Sequence, residues 1–110
     1  MSKYFDKLET RGQDERELSQ FSLLNSRIES IIKKAPGWKK ILNNIDISMI
    51  KDRKSLQQLP VTRKTDLSEI QRKEPPLGGL ALKEINEFPY VFASPGPIYE
   101  PGEKGDFWGM

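Results

Sequence analysis

The stretch that decides the fold is residues 14–34, which read DERELSQFSLLNSRIESIIKK. Its apolar side chains recur at spacings of three and four, which places them on one face of an α-helix. Acidic residues open the stretch and Lys33 and Lys34 close it, as the helix dipole favours. We therefore predict an amphipathic helix over 14–34, ended by Pro36-Gly37. The apolar stripe comprises Leu18, Phe21, Leu24, Ile28, Ile31, Ile32 and Ala35.

Two short helices are predicted further along the chain. Residues 55–58 (SLQQ) fit a capping box that opens the first, although Asp52 is a competing N-cap. In that helix Leu56 and Leu59 would face inward. Thr62 is the predicted N-cap of the second helix, which a Pro-Pro pair ends.

The character of the sequence changes after residue 77, where charge thins and Gly, Pro and aromatic residues become frequent. Residues 90–93 (YVFA) predict a short strand. Residues 94–102 (SPGPIYEPG) hold three Pro and two Gly, and we predict them to be irregular because Pro has no N–H to donate. Asp106 is a predicted N-cap for a helix that begins with aromatic residues. We divide the chain into a helical region, 1–77, and a second region, 78–110.

Composition excludes several classes of function. The sequence has no Cys and no His, which removes disulfides, thiolate nucleophiles, Ser–His catalysis and His-based metal sites. Its 18 basic and 16 acidic residues are mixed along the chain, which argues against a nucleic-acid-binding face. No apolar run approaches the roughly 18 residues of a membrane span, and no signal peptide is evident. We expect a cytoplasmic protein with no nucleic-acid or membrane partner, and we identify no catalytic or metal-binding residues.

Three stretches, in this order, resemble the phenylacetate–CoA ligase family of adenylate-forming enzymes. They are residues 4–11 (YFDKLETR), 59–67 (LPVTRKTDL) and 92–101 (FASPGPIYEP). The third falls where the family carries its Gly-rich phosphate loop, commonly Ser-Ser-Gly-Thr-Thr-Gly-Lys-Pro. Members of the family are several times longer than 110 residues, so the chain resembles their N-terminal part.

The resemblance implies a mostly α-helical N-terminal segment with one or two short strands, belonging to an α/β adenylate-forming fold. Region 78–110 would then begin the adenylation core and include the variant phosphate loop, 92–102. The full-length family activates a small carboxylic acid with ATP and Mg²⁺ and transfers it to coenzyme A. We expect this fragment alone to be inactive and to bind none of these cofactors tightly. Homodimerisation stays open.

The loop departs from the family pattern in ways that oppose conventional triphosphate binding. Pro97 lacks an N–H donor, Ile98 lacks a hydroxyl, and Glu100 is negative where the family has Lys. A rigid Pro-rich surface loop is thus an alternative to a ligand-facing one, and Lys64 is expected to be a solvated residue at a helix start. Two alternative functions are a stand-alone helical interaction module and a small nucleotide-binding protein that uses residues 90–102. The candidate loop residues are Ser94, Gly96, Pro97, Ile98, Tyr99 and Glu100.

Overall fold

The predicted long helix is present in the computed structural model, which describes residues 3, 4 and 6–106. Helix α1 spans Gln13–Lys34, and helix α2, Pro36–Ile41, follows after Ala35 alone. Pro36 ends α1 as predicted, and it also begins α2, because Pro suits the first position of a helix. Phe5 and the aromatic residues after Asp106 lie outside the described residues, and so does the helix predicted to follow Asp106.

Helix α3 is a single turn, Arg53–Leu56, and its N-cap is Asp52. The Asp52 carboxylate accepts a hydrogen bond from the Ser55 N–H at 2.7 Å, and the Ser55 hydroxyl accepts one from the Asp52 N–H at 3.0 Å. Asp52, the alternative N-cap in the sequence prediction, is therefore the correct one, and the capping box predicted to start at Ser55 is wrong. Leu56 is 39% exposed, so its predicted inward orientation is also wrong, because a one-turn helix has no long face to bury.

Helix α4 spans Lys64–Lys73, and its N-cap is Arg63. The predicted N-cap, Thr62, is wrong. The backbone stays extended through Arg63, at φ −100° and ψ 142°, so the helix begins one residue too late for Thr62 to cap it. Downstream, 3-10 helix Ile85–Glu87 is the one further helical turn before the strands within the described residues.

The two strands form an antiparallel hairpin, with β1 at Tyr90–Ser94 and β2 at Ile98–Gly102. Strand β1 confirms the prediction, whereas β2 shows that the irregular structure predicted for 94–102 is wrong. The Tyr99 N–H and C=O both bond to Gln71 of α4, away from β1. Backbone groups alternate along a strand, so Pro101 faces this same outer edge, and the carbonyl of Pro97 in the preceding turn is also directed to α4. Pro is tolerated there because the ladder to β1 needs no N–H from these positions.

The core of the described chain is small. Only Ile28 and Ala35 of the predicted apolar stripe are buried, while Leu18 is 74% exposed. The accessible surface is 8893 Å², against about 6,200 Å² for a compact monomer of this mass. The radius of gyration is 16.6 Å, against about 13 Å for a compact domain of this length. The chain is therefore more open than a self-contained domain. Its buried apolar residues are Ile28, Ala35, Ile47, Ile50, Leu77 and Ile98.

Distant segments are held together by a few specific contacts. The Gly37 N–H of α2 donates to the Gly79 carbonyl at 2.8 Å, and a side chain at Gly37 would lie 2.6 Å from the Gly78 carbonyl oxygen. The Arg53 guanidinium pairs with Glu17 of α1 at 2.5 Å and lowers the pKa of that carboxyl. Helix α4 contacts strand β2, so the hairpin packs against this helix. Among the described residues, no helix is both long and apolar enough to cross a membrane.

Candidate functional site

The six candidate loop residues lie on the hairpin and its three-residue turn, 95–97. Ser94 is the last residue of β1, and Gly96 and Pro97 belong to the turn. Gly96 has φ +108°, a left-handed conformation that favours glycine. On β2, Ile98 is buried and contributes to packing, while Tyr99 and Glu100 are exposed. The residues predicted to form an irregular loop thus form part of an ordered hairpin.

One face of α4 holds the turn through backbone carbonyls. The Lys64 ammonium donates to the Pro95 carbonyl at 2.6 Å, and the Ser68 hydroxyl donates to the Pro97 carbonyl at 3.0 Å. Gln71 lies one further turn along α4 and bonds β2. Spacings of four and three put these three side chains on the same face of the helix. The carbonyls of the turn therefore point towards α4.

Gln71 makes the most enclosed of these contacts. Its side-chain amide donates to the Tyr99 carbonyl at 2.8 Å and accepts from the Tyr99 N–H at 2.8 Å. Gln71 is only 5% exposed, so these bonds are shielded from water. The amide thus satisfies both backbone groups of one residue in β2, as a neighbouring strand would.

This arrangement leaves the turn with few hydrogen-bond donors for a phosphate group. Pro95 and Pro97 have no N–H, and the Ile98 and Tyr99 N–H groups meet the Ser94 hydroxyl and the Gln71 amide. Within residues 95–97, Gly96 carries the one N–H, and it makes no hydrogen bond with the described chain. A phosphate cradle depends on several convergent N–H groups. The hairpin in this conformation therefore lacks the donor set of a conventional phosphate loop.

Charge around the turn is mixed. A groove of about 320 Å³ beside it is lined by Lys64, Arg72 and Glu69, among others. Lys64 is exposed at the first position of α4, as expected, yet its ammonium is engaged by the Pro95 carbonyl. The basic side chains beside the turn could partly balance the charge of an anion, but the turn has few backbone N–H groups to coordinate it. No group of three or more acidic side chains within the described ranges is placed to hold a metal ion.

Sequence reasoning missed Ser68 and Gln71. Neither residue belongs to a recognised motif, and a polar residue within a helix ordinarily faces water. The available signal was their placement on the same helix face as Lys64. The roles assigned to the six loop residues stay predictions, since the geometry gives their positions and not a bound ligand.

Comparison with known proteins shows the fold. No family model matches the sequence, and no curated protein matches it significantly. Two crystal structures of 2-hydroxyisobutyryl-CoA ligase in the postadenylation state are similar, each with a TM-score of 0.78. The structure in complex with R3-HIB-AMP is 22% identical in sequence, and the one in complex with 2-HIB-AMP is 23% identical. Each match covers 86% of this chain and 21% of that chain.

The expected fold class is therefore confirmed: the described chain is about half helical with a two-stranded sheet, and its fold matches a segment of this CoA ligase, consistent with an N-terminal part of that fold. It spans about a fifth of the length of the ligase chains it matches. The neighbours are CoA ligases, which agrees with the general class indicated by the resemblance, although they are not phenylacetate–CoA ligases.

Proposed function

We propose that this chain is the N-terminal part of an AMP-forming acid–CoA ligase similar to the phenylacetate–CoA ligases. In the full-length enzyme, a carboxylate would attack the α-phosphate of Mg²⁺-bound ATP, forming an acyl-adenylate and releasing pyrophosphate. The thiol of coenzyme A would then attack the acyl carbon and release AMP. The 110 residues alone would not complete either step.

The observation that carries this proposal is the fold likeness to ligases whose structures contain R3-HIB-AMP or 2-HIB-AMP. The order of the three resembling stretches, 4–11, 59–67 and 92–101, supports it independently. Within this proposal, 1–77 is the helical N-terminal region and 78–110 begins the adenylation core. Contacts between α4 and β2 cross that boundary, so it marks a change in secondary structure rather than a gap in packing.

The open surface supports the view that the chain belongs to something larger. Its accessible area exceeds that of a compact monomer by roughly 2,700 Å². Exposed apolar side chains on α1 include Leu18 and Leu23. Burying such side chains is worth about 1.5–3 kcal/mol each, so a larger protein would gain stability by covering them. We propose that the remainder of the ligase covers these side chains.

We propose that the variant loop, 92–102, contacts the nucleotide. Gly96 supplies its available N–H, and the exposed side chains of Tyr99 and Glu100 are close in sequence. Because Glu100 is negative and the turn has few donors, we expect the loop to contact the nucleotide with fewer bonds than a conventional phosphate loop. Breaking the Lys64–Pro95 contact would free the Lys64 ammonium for an anion but would add no backbone N–H, since Pro95 and Pro97 have none.

The proposal is tested by an activity assay on two proteins, the polypeptide of the source cell that contains this sequence and the isolated 110-residue chain. Each is given ATP, Mg²⁺, coenzyme A and a panel of small carboxylic acids, including phenylacetate and 2-hydroxyisobutyrate. We expect acid-dependent AMP formation by the longer protein only. Acyl-CoA made by the isolated chain would contradict its predicted inactivity. A folded longer protein that forms no AMP and binds no ATP would contradict the ligase assignment.

A stand-alone helical interaction module is the second candidate, and the exposed Leu18 and Leu23 on α1 favour it. These two apolar side chains are uncovered in the described chain, and a partner protein could bury them. This candidate predicts that the isolated chain melts cooperatively in thermal unfolding, or that it forms a defined homodimer in analytical ultracentrifugation. A molten or aggregating chain would count against it and agree with a ligase fragment.

A further inference from the structure

Gln71 is the buried polar side chain among the described residues, at 5% exposure. Burying an amide costs free energy unless its hydrogen-bonding groups are satisfied. Both ends of this amide are satisfied by a single residue, Tyr99, which is 28 positions away in sequence. Such a contact cannot arise from local helix geometry. It specifies how the hairpin sits on α4.

The outer edge of β2 explains why one side chain is sufficient. Tyr99 and Pro101 share this edge, Pro97 directly precedes the strand, and the two prolines have no N–H. The Tyr99 N–H is therefore the one backbone donor among these three residues, and Gln71 accepts its hydrogen bond. The neighbouring contacts from Lys64 and Ser68 are more accessible to water, so they contribute less to fixing the position.

We propose that Gln71 is the positioning residue that holds the candidate nucleotide loop against α4. The role of the loop rests on the proposed function, whereas the positioning by Gln71 does not. Gln71 would keep the 95–97 turn with its carbonyls towards α4 and would limit how far the turn can open. Loss of either half of the amide contact would free the turn while leaving the helices in place.

The experiment exploits the chemistry of Gln71→Glu. The ionised carboxylate can accept from the Tyr99 N–H but cannot donate to the Tyr99 carbonyl, and it is repelled by that oxygen. The protonated acid has one donor and one acceptor, like the amide it replaces. Burial and the facing carbonyl raise the pKa of the introduced carboxyl above its unfolded value of about 4.3. Its stabilising contact is thus present at low pH and is lost as pH rises through the raised pKa.

Urea midpoints of the 110-residue chain are compared at about pH 4.5 and about pH 7.5, with trimethylamine N-oxide added to favour the folded state. We expect Gln71→Glu to have a lowered midpoint at the higher pH and to regain most of the wild-type midpoint at the lower one. Gln71→Met, which fills space without hydrogen bonds, should be lowered equally at both. The matched control, Gln58→Glu, lies at an exposed position and should follow the wild type at both.

Amide exchange reads out the contact itself. The Tyr99 N–H should exchange at least about tenfold faster in Gln71→Met than in the wild type, while amides of α1 keep their protection. An equal loss of urea midpoint for Gln71→Glu at both pH values would overturn the proposal. So would an unchanged exchange rate of the Tyr99 N–H in Gln71→Met. If Gln71→Met does not fold, a through-hydrogen-bond NMR coupling between the Tyr99 nitrogen and the Gln71 side-chain carbonyl carbon decides the matter in the wild type. None of these measurements uses ATP, so their failure is distinct from failure of the ligase assignment.

Discussion

Replacing Gly37 by Ala tests the contact that joins α2 to the segment before the hairpin. Gly37 is the second residue of α2, where the N–H has no partner within the helix, and it donates to the Gly79 carbonyl at 2.8 Å. The added methyl carbon would lie 2.6 Å from the Gly78 carbonyl oxygen and 2.9 Å from the carbonyl group of Gly79. These are backbone atoms, so they cannot rotate away as a side chain would.

The expected magnitude follows from opposing effects. Helix propensity favours Ala over Gly by at most about 1 kcal/mol. Against this, overpacking costs about 1–3 kcal/mol, and loss of the hydrogen bond costs about 0.5–1.5 kcal/mol. The opposing segment has little room to retreat, because Gly78 is already packed closely against Ile70 of α4. We therefore expect Gly37→Ala to destabilise the chain by about 1–3 kcal/mol.

Urea unfolding of the 110-residue chain, with trimethylamine N-oxide added to favour the folded state, measures this change, and Gly12→Ala serves as the control. Gly12 is the N-cap of α1 and has φ −63° and open space where the methyl would go. Ala is a poorer N-cap than Gly, so we expect the control to cost at most about 1 kcal/mol, less than Gly37→Ala. If Gly37→Ala were neutral or stabilising, helix propensity would be the dominant effect, and the close approach of α2 to Gly78 and Gly79 would be refuted.

Further predictions concern the core and the response to acid. Ile50→Ala should cost about 2–5 kcal/mol because Ile50 is fully buried, whereas Val61→Ala, at an 87% exposed position, should leave the urea midpoint nearly unchanged. A large effect of Val61→Ala would contradict this burial pattern. A hydrogen bond from the Arg53 side chain lowers the pKa of Glu17, and one from the Ser55 backbone lowers that of Asp52. The stabilisation from these two carboxylates is therefore present above their unfolded pKa of about 4. It is lost as the pH falls through their lowered folded-state pKa values. Glu17→Gln should lower the urea midpoint at pH 7, and its difference from the wild type should disappear at about pH 2.5; a difference that persists there would show that the Glu17 charge is not its source.

The long helix was predictable because its cause is local. The spacing of Leu18, Phe21, Leu24 and Ile28 and the charges at the two ends are all visible in the sequence. How much of that face is buried was not predictable from the same pattern. Burial depends on what packs against the helix, and Leu18 is exposed within the described chain.

Strand β2 was missed because Pro was treated as incompatible with a strand. That rule concerns strands that must donate on both sides. Pro97 precedes β2, and Pro101 lies on its outer edge, where no hydrogen bond to β1 needs its N–H. The contact between Gln71 and Tyr99 could not be predicted either, since it joins residues 28 positions apart through a hairpin that was not expected. Long-range polar contacts of this kind depend on the fold being known first.

The variant loop therefore has a structural explanation that stands beside its proposed role. Pro101 lies on the outer edge of β2, where the ladder to β1 needs no N–H. The carbonyls of the turn accept the hydrogen bonds that Lys64 and Ser68 of α4 donate. The position of the hairpin is thus fixed by the helix.

The central claim, that these residues are part of a larger ligase, is tested most directly by the intact mass of the native polypeptide. An antibody against residues 14–34 would isolate it from the source cells for mass spectrometry. We predict a protein several times heavier than 12.7 kDa, since the ligases of the same fold are about five times the length matched here. A native product of 12.7 kDa would contradict the claim and indicate that the short chain itself meets a partner through α1.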